Sequence, residues 1–474
     1  MKKSKILAYT IGPVGSALLG FISLPLIAWF FPMDAVGKIS MFQAVASLCT
    51  LLFCLGLDQA YVREYHECKN LPQLLKLTLI PGLLLLLLSS VTLFLLDPVL
   101  TSLLIFEEKN TNLSVMTLIC FIAIYISRFL SLVLRMQERA LAYSMSQVLP
   151  KLLFILFVLS GILLSMDADL QRLLMAYTLS FITVFLIYLW NTRRDWRPAL
   201  AEPVTPSALK PLLLFALPLV IGSLASWGLN VADKIFLRYL SNFNELGLYS
   251  VAVSLSSVAT LFAGVFNTIW APQVYKWISQ GNVDVKKIDT ISEHLLAAIF
   301  FAVVLCGAFS WIVPYMLPAS YGSIKHLLPV CFMAPLLYTL SETTAVGISI
   351  ARKTVFAMFA SVLAMLFNIA GNYLLVPIYG AAGAVSSTLA AFMLFYVLRT
   401  EFSKRLWRKM PTKKTYLIIL ILFAYLQINT FFLNSNIYFY LITAALLTSG
   451  LFIFWRSITV FKSLLLSAVR KGRA

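Results

Sequence analysis

A succession of long apolar runs constrains the fold of this chain more than any other feature of its sequence. A helix rises 1.5 Å per residue, so about 20 residues cross the roughly 30 Å hydrocarbon core of a bilayer. Runs of about this length lie near residues 10–31, 38–57, 77–96, 113–134, 148–166, 172–190, 211–232, 247–271, 294–317, 326–349, 355–375, 381–399, 415–433 and 437–455. The sequence therefore predicts an all-α polytopic membrane protein with about fourteen transmembrane helices.

The composition and the placement of charge agree with this prediction. Hydrophobic residues make up 61% of the chain and charged residues 12%, against roughly 45–50% and 25% in soluble domains. Lys and Arg are retained in cytoplasmic loops, and this bias explains the net charge of +18 without a nucleic-acid partner. With fourteen spans, the opposite loops hold few basic residues: Lys38, Lys109, Arg172, Lys234, Arg238 and Lys325. Both termini are therefore predicted to be cytoplasmic.

The sequence offers no pattern for a metal, a cofactor or a catalytic centre. The six cysteines have no paired CxxC spacing, no HExxH occurs, and the three histidines lie far apart in the chain. The phosphate-binding pattern GxxxxGK[ST] is absent, and the loops between the apolar runs are short. We therefore predict a transporter that is not an enzyme, has no cofactor, and uses an ion gradient or works passively.

The two halves of the chain repeat weakly at an offset of 210 residues. The offset aligns three pairs: Gly12 with Gly222, Gly37 with Gly247, and Ser40 with Ser250. The first helix of each half contains Gly and Pro, and helices broken at corresponding positions predict a transport site between two halves. We predict a six-helix bundle over residues 1–198, a second over 199–405, and a helix pair with a basic cytoplasmic tail over 406–474.

One face of the seventh apolar run carries polar and basic residues. Ser223, Trp227, Asn230, Lys234 and Arg238 follow one another at spacings of three or four and therefore line one face of a helix. A charge that faces lipid at the bilayer centre costs about 2.5–3.5 kcal/mol. We predict that this face lines a hydrated basic cavity. In the alternative, the two cations snorkel to headgroups at the helix end.

Four further charged residues lie at or inside predicted spans of the first half and its border. Arg128, in the fourth run, would add a cation to the cavity unless it snorkels to the interface. Asp58 and Arg63 close the second run, either as a gate pair or as interface anchors. Asp233 points away from the face that carries Lys234, so it is predicted to serve a neighbouring helix.

Three polar residues of the second half are candidates for coupling and for sugar contact. Glu342 is a lone carboxylate that could couple transport to an ion or form a structural ion pair. Asn368 and Asn372 lie one helical turn apart. Their amides could meet sugar hydroxyls, because an amide both donates and accepts, or they could bond a neighbouring helix.

Four passages resemble a known transporter family. They are LGLDQAYVREY (55–65), LPLVIGSLASWGLNVADKIFLRYL (217–240), ELGLYSVAVSLSSVATLF (245–262) with WAP (270–272), and the region from ETTAVGISIARKT through NIAGNYLLVPIYGAAGAV (342–385). The last is the most specific, because it combines Glu342, the pair Arg352-Lys353, two asparagines, a proline and a Gly-rich turn in one order. The chain resembles the Wzx-type flippases for lipid-linked O-antigen units, in the polysaccharide transporter branch of the multidrug/oligosaccharidyl-lipid/polysaccharide (MOP) exporter superfamily.

This resemblance implies two six-helix bundles around a central cavity, plus a final helix pair, in the bacterial inner membrane. It implies that an undecaprenyl-pyrophosphate-linked oligosaccharide of lipopolysaccharide biosynthesis is moved to the periplasmic leaflet by alternating access, coupled to a cation or proton gradient. Lys234, Arg238 and Arg128 would then hold pyrophosphate or acidic sugars, and Asn230, Asn368 and Asn372 would meet sugar hydroxyls. Membrane lipids, a polysaccharide polymerase and a chain-length regulator would be partners.

Alternative functions stay open at this point. Drug/cation antiporters belong to the same superfamily and usually have twelve helices. A membrane enzyme of glycan assembly would need a large loop for its acceptor, which disfavours it. The related lipid II flippases carry arginines in their first helix, and the first helix here has none, so a role in peptidoglycan synthesis is disfavoured.

Overall fold

The computed structural model describes residues 3–165, 167–279, 285–351 and 353–471. Arg352, one of the predicted basic pair, and the last three residues of the predicted tail lie outside these ranges. The chain divides into two compact units, residues 1–250 and 251–474. The predicted domain boundaries at 198 and 405 stay predictions.

The first unit consists of helices joined by short connections. They are α1 (Lys3–Phe30), α2 (Met33–Cys54), α3 (Leu57–Glu64), α4 (Leu71–Leu96), α5 (Leu100–Phe106), α6 (Thr111–Met136), α7 (Ala140–Leu163), α8 (Leu170–Asn191), α9 (Arg193–Ala201), α10 (Pro206–Leu240) and the start of α11 (Phe243–Leu255). Three of the long helices begin at a residue whose side chain accepts from a backbone N–H of the first turn, namely Asn70, Asn110 and Asp169. Such caps satisfy N–H groups that have no partner inside the helix.

The repeat-related glycines Gly37 and Gly247 touch each other where α2 and α11 begin. A Cβ on Gly37 would overlap the carbonyl oxygen of Phe243 and lie 3.1 Å from the Gly247 nitrogen. A Cβ on Gly247 would overlap the carbonyl oxygen of Met33 and lie 3.3 Å from the Gly37 nitrogen. Met33 and Phe243 are separated by the same offset as the two glycines. The contact is therefore reciprocal, as a local two-fold relation between the repeats requires.

The second unit contains the remaining helices. They are the end of α11, then α12 (Ser257–Ser279), α13 (Val285–Ala308), α14 (Val313–Met316), α15 (Ile324–Thr344), α16 (Val346–Ile350), α17 (Val355–Leu406), α18 (Lys413–Ile428), α19 (Ile437–Ile453) and α20 (Trp455–Lys471). A π-helical turn, Asn429–Leu433, extends α18.

The 52-residue α17 is two arms that meet at Gly380. Gly380 has φ 52° and ψ −127°, a conformation that is open mainly to glycine. Beyond this break the chain folds back. The evidence is a hydrogen bond between the arms, in which the Asn368 amide of the first arm donates to the Thr388 hydroxyl of the second at 3.2 Å. A straight helix of this length would extend about 78 Å, more than twice the hydrocarbon thickness. Each arm alone is long enough to cross a bilayer.

The all-helical membrane fold is confirmed, while the number of spans stays a prediction. Among the described residues, 11 helices are long and apolar enough to cross a membrane, or up to 13 if each of two bent pairs is one span. The first pair, in α11 and α12, is bent by 41°, and the second, α19 with α20, by 76°. The count of up to 13 includes α17 once. If the two arms of α17 are counted as separate spans, the count equals the predicted fourteen.

The prediction that Gly and Pro break the first helix of each half is wrong. Both helices are continuous: α1 through Pro13 and Pro25, and α10 through Pro211 and Pro218. A broken helix leaves backbone groups that lipid cannot satisfy. In α1 the glycines instead allow α7 to approach closely, since a Cβ on Gly15 would lie 3.0 Å from Val148.

Candidate functional site

The polar face of α10 changes from exposed to buried along the helix. Asn230 is exposed, Lys234 is half-buried and Arg238 is only 6% exposed. The Asn230 amide donates to the Ser226 carbonyl of its own helix at 2.7 Å. These residues share one face, as their spacing predicts, but they do not share one environment.

Arg238 is a buried residue that binds the end of α5. Its guanidinium donates to the carbonyl of Leu104 and, at 3.4 Å, to that of Ile105. It also lies 3.7 Å from the carboxylate of Glu107. Carbonyls at a helix C-terminus lack donors within the helix, so a cation there satisfies them. The side chain is thus held by the protein and is not exposed in a hydrated cavity.

Lys38 of α2 binds the segment that follows α5. Its ammonium lies 2.7 Å from the carboxylate of Glu108 and 2.7 Å from that of Asp34. Glu107 and Glu108 are consecutive, so cations from α10 and α2 hold neighbouring carboxylates. Lys38 was predicted to lie in a loop opposite the cytoplasm, and nothing in its sequence position indicated this attachment.

Arg128 pairs with Asp58, at 2.8 Å between Nη2 and Oδ2. Asp58 is buried, whereas the side chain of Arg128 is 41% exposed. A gate pair of Asp58 with Arg63 was one of two open interpretations, and in this structure the two residues have other partners. Arg63 lies over the ring of Phe215 at 4.2 Å and near Glu64 at 3.6 Å, where it resembles the interface anchor of the alternative interpretation.

Asp233 bonds to a neighbouring helix, on the side that its position on the α10 helix predicts. The residue is 1% exposed, and its carboxylate accepts from the hydroxyl of Tyr249 in α11 at 2.5 Å. The Tyr249 hydroxyl thus supplies a hydrogen-bond donor to a carboxylate that is buried inside the first unit.

The two asparagines of the second unit connect the arms of α17. Both are fully buried. The Asn368 amide donates to hydroxyls of the second arm, and the Asn372 amide donates to the Asn368 side-chain oxygen at 3.1 Å. Interhelical amide bonds were one of the two open interpretations, and these contacts are of that kind.

Glu342 forms an ion pair with Arg399 inside the second unit. The distance between Arg399 Nη1 and Glu342 Oε1 is 2.7 Å, and the side chains are 13% and 23% exposed. Arg399 also donates to the Ser341 hydroxyl at 2.6 Å and lies 5.1 Å from the ring centroid of Phe395. Arg399 is the last residue of the apolar run 381–399, and nothing in its sequence position identified it as the partner of Glu342.

Lys151 was not among the predicted site residues. The fifth apolar run was predicted to begin at residue 148, which put Lys151 at the cytoplasmic edge. In the structure α7 begins at Ala140, so Lys151 lies near the middle of a 24-residue span, about 16 Å along its axis. Its ammonium donates to the Ser16 carbonyl of α1 at 2.7 Å. A Cβ on Gly20 would lie 3.0 Å from that nitrogen, so glycine makes room for it.

No group of three or more His, Cys, Asp or Glu that could hold a metal ion occurs in the part of the chain that the structure describes. Four cations of the helices, Lys38, Arg128, Arg238 and Arg399, lie within ion-pair distance of a carboxylate, whereas Lys151 and Lys234 have no such partner among the described residues. A lysine ammonium without a carboxylate beside it can accept a negatively charged group as its partner.

Solved structures share this fold, among them the following two. One is described as the lipid II flippase MurJ in an inward closed conformation: it is 14% identical, has a TM-score of 0.65, and the match covers 97% of this chain and 100% of that one. The other is an inward-facing multidrug resistance MATE family transporter of the MOP superfamily, 15% identical, with a TM-score of 0.57 and coverage of 82% and 94%. At these identities the likeness shows the fold alone.

The sequence itself matches one family over more than half of its length. Residues 3–276 match the model of the family described as polysaccharide biosynthesis protein. No curated protein has a matching sequence. The chain therefore belongs to the polysaccharide biosynthesis protein family and has the fold of MOP superfamily transporters, as the resemblance in its sequence predicted.

Proposed function

We propose that this protein is a flippase for a lipid-linked oligosaccharide in the bacterial inner membrane. The substrate would be an undecaprenyl-pyrophosphate-linked repeat unit of the O-antigen type, moved from the cytoplasmic to the periplasmic leaflet by alternating access. An inward gradient of protons or another cation would drive the movement. Both termini would be cytoplasmic, and a polymerase and a chain-length regulator would act on the product.

Family membership and fold support this proposal. The family is described by polysaccharide biosynthesis, and one of the solved structures that share the fold is described as a flippase of lipid II. A chain of membrane-spanning helices with short connections suits movement of such a molecule better than its synthesis.

The observation that carries the proposal is that some cations inside the spans have a carboxylate partner and others have none. Lys38, Arg128, Arg238 and Arg399 each have a carboxylate within ion-pair distance. Lys151 and Lys234 have none among the described residues. A charge without a counter-ion in a membrane is costly and is typically retained for function. A phosphate of the substrate would supply the missing negative charge.

We therefore assign anion binding to Lys151 and Lys234, and a supporting role to Arg128 and Arg238. Asn230 is exposed beside Lys234 on α10 and could meet sugar hydroxyls. Asn368 and Asn372 would reach sugars only if the arms of α17 separate, because both are buried between them.

Lys151→Met and Lys234→Met are each expected to weaken substrate binding by about tenfold or more, because a hydrogen bond to a charged group contributes about 1.5–3 kcal/mol. Methionine keeps most of the side-chain volume and removes the charge. Binding is measured with a fluorescent undecaprenyl-pyrophosphate oligosaccharide and the full-length protein, and surface polysaccharide is measured in cells that lack the native gene.

Lys210→Met is the matched control. Lys210 lies in the same helix as Lys234 but near its start, where it is exposed, so its loss should leave binding unchanged. Wild-type affinity and normal surface polysaccharide in both lysine variants, at equal protein level, would falsify the assignment.

The same variants separate this proposal from that of a drug/cation antiporter. A cationic substrate is repelled by lysines along its path, so removal of either charge should strengthen its binding or leave it unchanged. Weaker binding of the phosphorylated lipid together with unchanged binding of organic cations favours the flippase.

A further inference from the structure

Five arginines gather at one end of the first unit, where α6, α7, α8 and α9 meet. We call them the arginine patch: Arg135, Arg139, Arg193, Arg194 and Arg197. Hydrogen bonds between the connections bring them together. The Arg139 guanidinium donates to the backbone and side-chain oxygens of Asn191, both at 3.1 Å. Gln137 donates to the carboxylate of Asp195 at 2.7 Å.

Helix α9 lies across the end of this unit. It begins directly after α8 and reaches the start of α4, where the Lys76 ammonium donates to the Leu200 carbonyl at 2.7 Å. At 100° per residue, its three arginines fall within a face about 100° wide. Asp195 lies on the opposite side and is bonded to Gln137. Because the Asp195 side of α9 packs against the first unit, the arginine face of α9 points away from the first unit.

The charge of the patch is not neutralised by the protein. Arg194 and Arg197 are exposed, and neither has a carboxylate within ion-pair distance among the described residues. The connections contain two acids, Glu138 and Asp195, against five arginines. An excess of fixed positive charge therefore remains at this end of the unit.

Exposed apolar residues border the arginines. Trp190 is 67% exposed and Leu200 is 64% exposed. The Arg193 guanidinium lies 4.3 Å from the ring centroid of Trp190. Trp is enriched where a membrane meets water, because its apolar ring and polar edge suit both phases. The exposed Trp190 and Leu200 therefore indicate that the arginine patch lies at the depth of lipid headgroups. Binding of a freely soluble anion would not require exposed apolar residues beside the arginines.

We propose that the arginine patch binds the phosphates of anionic phospholipids and so fixes α9, the connection between the two repeats, to the membrane surface. A guanidinium offers a planar fork that matches two phosphate oxygens. This site is separate from the substrate lysines and does not depend on which lipid-linked glycan the protein moves. Each cation near an anionic membrane surface contributes roughly fivefold to binding.

The test uses the full-length protein in detergent and counts bound lipid by native mass spectrometry. The probes are phosphatidylglycerol and phosphatidylcholine of matched acyl chains. We expect the wild type to bind phosphatidylglycerol preferentially, and the double variant Arg194→Gln/Arg197→Gln to lose about tenfold or more of that affinity. Added salt should weaken the wild-type preference, because it screens exposed charges.

Lys409→Gln/Lys413→Gln is the control, since both lysines are exposed and the variant removes the same charge elsewhere. It should retain wild-type binding, and thermal unfolding checks that both double variants are folded. The proposal is overturned if the arginine variant binds phosphatidylglycerol like the wild type, or if the control loses as much. It is also overturned if the wild type does not prefer phosphatidylglycerol, or if inorganic phosphate displaces the lipid at equal concentration.

Discussion

Gly37→Leu is expected to destabilise the folded protein by about 3 kcal/mol or more and to abolish transport. Overpacking a close contact typically costs about 1–3 kcal/mol, and this contact is closer than most, because a Cβ on Gly37 would overlap the backbone oxygen of Phe243. The backbone cannot rotate away as a side chain can, so α2 and α11 would have to separate. The measurement is thermal unfolding of the purified variant, with surface polysaccharide measured in cells at matched protein level.

Gly222→Leu is the control for this experiment. It adds the same side chain within a membrane-spanning helix, but a Cβ at Gly222 meets nothing within 4 Å, so stability should stay near that of the wild type. Gly247→Leu should repeat the loss, because the contact is reciprocal. A Gly37→Leu protein that unfolds and transports like the wild type would show that the helices do not need this close approach.

Arg399→Leu is expected to destabilise the second unit by about 3–5 kcal/mol, the usual range when one partner of a buried ion pair is removed. The loss arises because the carboxylate of Glu342, whose side chain is 23% exposed, is left without its counter-ion. The Ser341 hydroxyl loses a donor at the same time. Thermal and denaturant unfolding of the purified variant measure the change.

The double variant Glu342→Gln/Arg399→Leu separates the charge effect from packing. Once the carboxylate is neutral, much of the lost stability should return, and the difference from the single variants gives the coupling energy of the pair. An equal or larger loss in the double variant would mean that packing of Arg399, and not its charge, is what matters.

Glu342→Gln alone tests the proposed coupling role of this carboxylate. If protonation of Glu342 drives the cycle by releasing Arg399, transport by the variant should lose its dependence on the proton gradient. Transport that keeps its usual dependence would leave Glu342 as a purely structural partner of Arg399.

The fold class could be predicted from sequence because membrane-spanning segments are constrained by length and polarity alone. A bilayer tolerates only apolar runs of about 20 residues with satisfied backbone groups, and the chain shows such runs along most of its length. The aligned pair Gly37 and Gly247 could also be read from sequence, although their contact could not. Alignment relates two positions without saying whether they touch.

The environment of the site residues could not be predicted. Helical periodicity shows on which face of a helix a side chain lies, but it does not show which other element packs against that face. Spacing put Arg238 on the same face as Lys234 and gave no sign that the carbonyls of α5, more than 130 residues earlier, lie against it. For Asn368 the missing information was the fold-back at Gly380, which brings the second arm within hydrogen-bond distance.

Lys151 was missed for a different reason. Ser144, Ser146 and Gln147 lower the hydropathy just before it, so the apolar run was predicted to start at residue 148. Polar residues can lie inside a membrane helix where another helix packs on them, and Ser144 is fully buried. The absence of Gly or Pro between residues 140 and 148 was the available signal that the helix begins earlier.

The crossing of α2 and α11 is built the way symmetric homodimers are built. When the same patch on two copies meets across a two-fold axis, residue i of one copy faces residue j of the other, and j faces i. Here Met33 faces Gly247 and Phe243 faces Gly37. The crossing thus has, within one chain, the reciprocal pairing that a two-fold axis gives to two copies. In a homodimer one substitution alters both sides of such a crossing at once, whereas in this chain Gly37 and Gly247 are separate residues and each side can change alone.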